Sequence, residues 1–137
     1  MQPIKTPTKP DRPVDGEAAE GTILIIDDDA SILRVGARTL GRIGFAVLCA
    51  KRGARGIELC REHAGELEAV MVDLSMPDMD GAQVVRAIRQ FDREVPVFIC
   101  SGHDAEEAKR RVGDAAVDAF IQKPYSRATL LAHLRPA

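Results

Sequence analysis

The sequence predicts an α/β fold in which five parallel β-strands alternate with five helices. Five short apolar runs recur along the chain, and their apolar residues are continuous rather than alternating, as in strands covered on both faces. Between these runs, apolar residues recur at the three- and four-residue spacing of a helix with one buried face. Right-handed crossovers would place the helices on both sides of the sheet, so we expect a doubly wound (βα)5 domain.

Each element is predicted from its own segment. The strands are expected, in chain order, at Thr22–Ile26, Phe45–Cys49, Ala69–Val72, Val95–Cys100 and Asp118–Ile121. Helical spacing is found in Leu33, Ala37 and Leu40, in Ile57 and Cys60, in Val84, Ile88 and Phe91, and in Leu130 and Leu134. The segment Asp104–Val112 should also be helical, and because it holds few large apolar residues we expect it to be half-exposed. Ser31 and Ser126 stand where helix N-caps are expected.

The N-terminal segment differs from the rest of the chain in composition. Residues 1 to 20 contain four of the eight prolines and very few large apolar side chains. We therefore expect a disordered tail or linker there, followed by one domain over residues 21–137. Only Arg135–Ala137 follow the last predicted helix, so we expect a domain that stands alone or that comes from a longer chain.

The charge and the cysteines argue against several classes of protein. With 19 basic and 21 acidic residues, the formal net charge is −2, which offers no basic field for nucleic acid and no polybasic anchor for a membrane. We therefore expect no direct DNA binding and no membrane association. Cys49, Cys60 and Cys100 lack CxxC spacing and are interpreted as reduced thiols of a cytoplasmic protein.

Polar side chains follow four of the predicted strands. The first is followed by Asp27–Asp29, the third by Asp73, the fourth by Ser101 and the fifth by Lys123. Sites in doubly wound sheets form at the carboxyl ends of the strands, so we expect these groups to converge. Two carboxylates about 4 Å apart repel by roughly 4 kcal/mol at an effective dielectric of about 20. A hard divalent cation would relieve that repulsion, and Mg²⁺ suits because it keeps waters that a phosphate can displace. No GxGxxG or GxxxxGK loop follows the first strand, so nucleotide binding loses support.

Four motifs at these strand ends carry a family resemblance. In order and spacing, "ILIIDDDA", "VMVDLSMPDMDG", "ICSG" and "IQKPY" resemble the receiver domain of two-component response regulators, over about residues 22–135. The last two motifs are most similar to receivers at the C-termini of hybrid histidine kinases. The resemblance implies a flavodoxin-like sheet of strand order 2-1-3-4-5. It also implies a phosphoacceptor switch that catalyses its own phosphorylation and dephosphorylation and turns over no external substrate.

The resemblance also implies the central site residues. Asp73 matches the aspartate that takes a phosphoryl group from a phosphohistidine, and a carboxylate is a suitable nucleophile for that step. Lys123 matches the ammonium that pairs with Asp73 and would keep it ionised. Asp28 matches the direct Mg²⁺ ligand, Asp27 would act beside it mainly through water, and the backbone carbonyl of Ser75 would complete the metal site.

Further positions match the parts that respond to phosphorylation. Ser101 matches the switch hydroxyl that bonds the phosphoryl oxygen, and Phe120 matches the aromatic rotamer switch. We interpret His103 as a modulator near the pocket mouth that tunes phosphoryl lifetime, the alternative being an exposed loop imidazole. A cis Lys123–Pro124 bond is implied as well. The implied partners are a histidine kinase or histidine phosphotransfer protein, and a downstream protein that binds the fourth helix, fifth strand and fifth helix.

Other interpretations of the aspartates remain open. A haloacid-dehalogenase-like phosphatase would use Asp27 in an Asp-x-Asp motif after the first strand, although Ala-Ser follows Asp29 and the chain has no room for a cap domain. A third interpretation is a pseudo-receiver, a receiver-like domain used purely for binding. Asp29 is interpreted as a helix-start residue rather than a ligand. Asp78 and Asp80 are interpreted as turn and cap residues.

Overall fold

The computed structural model describes residues 21–134 and confirms the predicted fold. Within this range five parallel strands form one sheet in the order β2-β1-β3-β4-β5. The strands are β1 (Thr22–Ile26), β2 (Ala46–Ala50), β3 (Leu67–Asp73), β4 (Val97–Ser101) and β5 (Ala119–Gln122). The helices are α1 (Ala30–Ile43), α2 (Gly53–Glu62), α3 (Gly81–Arg89), α4 (Ala105–Val112) and α5 (Arg127–Leu134). None of these described helices has the length and apolar composition needed to cross a bilayer. The predicted tail, residues 1–20, lies outside the described residues.

The sheet is buried on both faces because alternate residues of its strands pack against different helices. In β1, Ile23 and Ile25 belong to the core cluster that includes residues of α1 and α5. Leu24 and Ile26 belong to the cluster that includes residues of α2, α3 and α4. Burying each of these side chains contributes roughly 1.5–3 kcal/mol. This two-sided burial explains the continuous apolar runs in the sequence.

The predicted caps are half confirmed. Asp29, not Ser31, caps α1: its Oδ1 accepts the N–H groups of Ser31 at 2.8 Å and Ile32 at 3.3 Å. The Ser31 prediction is therefore wrong, because a carboxylate two residues earlier already satisfies the free donors of the first turn. Ser126 is confirmed, since its Oγ accepts the N–H of Thr129 at 3.2 Å.

The turn after β3 caps two helices. Asp80 is the N-cap of α3 and accepts the N–H of Gln83 at 2.9 Å. Asp78 reaches the start of α2, where its carboxylate accepts the N–H groups of Gly53 at 3.1 Å and Ala54 at 3.2 Å. These bonds, led by the one from Gly53, hold the pKa of Asp78 below its usual range. The interpretation of both aspartates as turn and cap residues is confirmed.

Helix α2 approaches the sheet at a glycine. A Cβ on Gly56 would lie 2.3 Å from Cδ1 and 2.6 Å from Cγ1 of Ile26. We expect Gly56→Val to lower the free energy of unfolding by about 2–3 kcal/mol in urea denaturation, because the buried sheet face cannot absorb the added carbons. Ala54→Val, at an exposed position of the same helix, should cost only about 0.5 kcal/mol through helix propensity. Equal losses in the two variants would contradict the close packing.

Candidate functional site

The carboxyl ends of four strands meet at one edge of the sheet. Asp27 directly follows β1, Asp73 ends β3, Ser101 ends β4 and Lys123 follows β5. Because β3 lies between β1 and β4, Asp73 stands at the centre of this edge. The backbone N–H of Lys123 donates to the carbonyl of Ser101 at 2.7 Å, which fastens the loop after β5 to β4. The Lys123–Pro124 bond is cis, as the resemblance implied.

Three carboxylates form a cluster at this edge. Asp27, Asp28 and Asp73 each offer one oxygen, and these oxygens all lie within 4.8 Å of one another. Asp27 is 2% exposed and Asp73 is 6% exposed, whereas Asp28 faces solvent. The predicted convergence of acidic groups is therefore present in the fold, and most of its charge is withdrawn from water.

The ammonium of Lys123 bridges the two buried carboxylates. Its Nζ donates to Oδ2 of Asp27 and to Oδ1 of Asp73, both at 3.0 Å. The other oxygen of Asp27, Oδ1, accepts the backbone N–H of Asp29 at 2.9 Å. Asp27 is thus held at both oxygens, and Lys123 is the cation that offsets part of the cluster's negative charge.

The electrostatics of Asp73 differ from the expectation for a simple ion pair. Burial raises the pKa of Asp73 to about 6; the hydrogen bond from Lys123 opposes this rise, and the charges of Asp27 and Asp28 add to it. Burial also acts to lower the pKa of Lys123, but its bonds to Asp73 and Asp27 outweigh that effect and the pKa is raised. At neutral pH the ammonium is therefore charged, and Asp73 is mostly in its carboxylate form.

The donor set fits a small divalent cation. One oxygen from each of Asp27, Asp28 and Asp73 lies within 4.8 Å of the other two, so these three carboxylates would hold such an ion. Lys123 supplies one positive charge against the three negative charges of Asp27, Asp28 and Asp73. A divalent cation would balance the remaining charge, and carboxylate oxygens are the ligands that Mg²⁺ prefers.

A chain of hydrogen bonds runs from Ser101 across the loops beside the cluster. The Oγ of Ser101, which is 3% exposed, accepts the backbone N–H of His103 at 2.9 Å. The exposed His103 ring accepts a bond at Nε2 from Nη1 of Arg111 at 2.8 Å. Nη2 of Arg111 donates to Oγ of Ser75 at 3.4 Å. Arg111 could not be predicted from the sequence, because no spacing rule links a residue of α4 to these two loops.

Phe120 shares a pocket with Ser101 and is not part of the acidic cluster. Its half-buried side chain lines a pocket of about 210 Å³ between β4, α4 and β5. Ser101 and His103 line the same pocket, together with Ala105 and Ala108 of α4. The pocket therefore connects the end of β4 with the aromatic side chain of β5.

Comparison with known sequences gives one consistent result. Residues 23–135 match the family described as response regulator receiver domain. The transcriptional regulatory protein PrrA of Mycobacterium bovis is 32% identical over 113 residues, which cover 82% of this chain and 48% of PrrA. The sensor kinase CckA of Brucella abortus is 28% identical over 109 residues, which cover 80% of this chain and 12% of CckA. The chain spans about half the length of PrrA and a smaller part of the kinase.

Solved structures show the same fold. The CheX–CheY–BeF3–Mg²⁺ complex from Borrelia burgdorferi matches with a TM-score of 0.76 at 25% identity, covering 82% of this chain and 85% of that one. The flavodoxin-like strand order inferred from the resemblance is the order found here.

Proposed function

The chain belongs to the response regulator receiver domain family of two-component signalling, and we therefore propose that it is the phosphoacceptor switch of a phosphorelay. In this proposal Asp73 takes a phosphoryl group from the phosphohistidine of a histidine kinase or a histidine phosphotransfer protein. The observation that carries the proposal is the arrangement of Asp27, Asp28 and Lys123 around a buried Asp73 at the centre of the sheet edge.

The chemistry follows from these side chains. A carboxylate oxygen of Asp73 forms the new bond to phosphorus, the N–P bond of the phosphohistidine breaks, and its electron pair returns to the imidazole. The Lys123 ammonium stabilises charge on the phosphoryl oxygens as they approach. Mg²⁺ held by Asp28, Asp73, the Ser75 carbonyl and, mainly through water, Asp27 would supply further charge neutralisation, and the similar CheX–CheY complex contains that ion.

The response to phosphorylation is proposed to pass through Ser101. Its Oγ now accepts the His103 N–H, and on phosphorylation it would turn to donate to a phosphoryl oxygen. That movement would release the His103 segment and reshape the pocket that Ser101 shares with Phe120. Phe120 would then change its rotamer, and the surface of α4, β5 and α5 would present the change to a downstream protein.

The proposal also covers the partners of the domain and its cellular location. We propose that the receiver domain comprises residues 21–137 and is phosphorylated by a histidine kinase or a histidine phosphotransfer protein. We further propose that the domain acts in the cytoplasm and contacts neither DNA nor a membrane directly. The family relatives include a transcriptional regulator and a sensor kinase. Profiling phosphoryl transfer from a set of kinases would identify the donor.

The phosphatase alternative loses support from the geometry of Asp27. Both oxygens of that carboxylate are engaged, one by the Asp29 N–H and one by Lys123. A nucleophile needs an oxygen that is directed at the incoming phosphorus. We therefore retain Asp73 as the phosphorylated residue.

The proposed function is tested by loading from a small-molecule donor. The protein is incubated with acetyl phosphate, either with Mg²⁺ or with excess EDTA, and its intact mass is followed. We expect one phosphoryl group to be added with Mg²⁺ and almost none with EDTA, because the carboxylate cluster would otherwise repel the donor. A protein that gains no phosphoryl group under either condition would contradict the proposal.

His103 is expected to affect how long the phosphoryl group persists. His103→Ala should change the half-life of phosphorylated Asp73 by about two- to tenfold, because the imidazole, which accepts a hydrogen bond from Arg111, helps to hold the loop beside Ser101. The half-life is measured after the donor has been removed in Mg²⁺ buffer. Equal half-lives for the wild type and the variant would refute this role.

A further inference from the structure

An arginine of α4 joins the two loops that flank the acidic site. Ser75 lies two residues after Asp73, in the loop that follows β3, and His103 lies two residues after Ser101, in the loop that follows β4. The Arg111 guanidinium donates to the side chains of both loop residues, at 2.8 Å to His103 and 3.4 Å to Ser75. A planar fork of donors is suited to bridging two such acceptors.

The neighbouring arginine shows that this arrangement is specific to one position. Arg110 is exposed on the same helix and pairs with Glu107 within α4, as i,i+3 residues commonly do. Arg111 instead leaves its helix and contacts residues 8 and 36 positions away in the chain. The two side chains therefore form a matched pair in which only the second reaches the site.

We propose that Arg111 is a positioning residue that latches these two loops together over Asp73 and so limits the access of small phosphodonors and of water. The inference rests on the proposed function, since it assigns regulation to the same site. Because the bonds are exposed, the latch opens readily, and its effect on rates is about two- to tenfold rather than larger.

The latch is also connected to the switch hydroxyl. Arg111 holds the His103 ring, while the backbone N–H of His103 donates to Ser101 Oγ. Gly102 lies between Ser101 and His103 in the chain, and no atom would lie within 4 Å of a Cβ added there. The Arg111 bond therefore adds to the Ser101 bond in restraining an otherwise uncrowded segment.

The kinetic test compares Arg111→Ala with the matched control Arg110→Ala. The rate of loading from acetyl phosphate and the rate of hydrolysis after donor removal are both measured in saturating Mg²⁺. We expect Arg111→Ala to raise both rates by a similar factor of about two to ten, with Arg111→Lys intermediate and Arg110→Ala near wild type. Slower loading in Arg111→Ala would mean that the guanidinium attracts the donor, and unchanged rates would mean that no latch operates; either result overturns the proposal.

A double variant tests whether Arg111 acts through His103. If it does, adding Arg111→Ala to His103→Ala should change the hydrolysis rate by less than it does in the wild type, because the shared contact is already lost. Fully additive effects would contradict the proposed route.

Amide hydrogen exchange tests the latch without phosphorylation. In the unphosphorylated protein, Arg111→Ala should speed exchange in the loops at residues 74–79 and 102–104, whereas Arg110→Ala should not. Unchanged exchange would overturn the latch. A wild type that is never phosphorylated would instead overturn the proposed function and leave the exchange result intact.

Discussion

Lys123→Met is expected to slow phosphorylation of Asp73 by about a hundredfold or more, since it removes a preorganised charge from the site of transfer. In the wild type, one ammonium lies 3.0 Å from an oxygen of Asp73 and 3.0 Å from an oxygen of Asp27. Methionine fills a similar volume but leaves the two carboxylates facing each other and the incoming phosphoryl group without that cation. The initial rate of loading from acetyl phosphate in saturating Mg²⁺ measures the effect.

A matched control separates a specific role of Lys123 in phosphoryl transfer from the general effect of removing one positive charge. Lys109→Met removes an exposed ammonium from α4, and its loading rate should stay close to that of the wild type. The free energy of unfolding of Lys123→Met in the same buffer shows whether the variant is folded under the assay conditions. A folded Lys123→Met that loads within about threefold of the wild type would contradict the role of Lys123.

Arg89→Ala is expected to be among the most destabilising single changes in the described part of the chain, at about 3 kcal/mol. Arg89 ends α3, and its side chain is only 14% exposed. The guanidinium donates to the carbonyls of Val95 at 2.7 Å and Ala116 at 3.1 Å, and pairs with Asp118 at 3.1 Å. Alanine would leave the two carbonyls and the Asp118 carboxylate without the guanidinium that donates to them. These acceptors lie close to the start of β4.

The hydrogen-bond network of Arg89 continues through the carboxylate of Asp118. Oδ2 of Asp118 also accepts the N–H of Val97, the first residue of β4, at 2.8 Å. Urea denaturation of Arg89→Ala, Arg89→Lys and the exposed control Arg93→Ala measures the contribution of the planar fork. Lysine should recover less than half of the loss, because it cannot reach several acceptors at once. A loss for Arg89→Ala no greater than that for Arg93→Ala would contradict this account.

The sequence predicted the strands well because parallel strands with two covered faces need continuous apolar runs. The errors lie at the strand boundaries, because hydrogen bonds rather than apolar pattern determine where a strand begins. The apolar run predicts that the second strand begins at Phe45, but the Phe45 N–H donates to the Leu40 carbonyl and completes the end of α1, so β2 begins one residue later. The fourth strand begins at Val97 rather than Val95, since the Val95 N–H is taken by the Asp92 side chain.

The acidic site could be predicted for a related reason. Carboxyl ends of parallel strands share one edge, so polar residues just after apolar runs must come together even when they are far apart in sequence. Arg89 and Arg111 could not be found in this way. Their acceptors lie on loops and neighbouring elements, at separations of 3 to 36 residues, and no periodic pattern marks such contacts.

The position of the phosphoryl group tests the central claim most directly. The protein is loaded with acetyl phosphate in Mg²⁺ and reduced with borohydride, which converts an aspartyl phosphate into homoserine, and its peptides are mapped by mass spectrometry. The account predicts homoserine at Asp73 and its loss in Asp73→Asn. Modification at Asp27 instead, or an undiminished signal in Asp73→Asn, would contradict it.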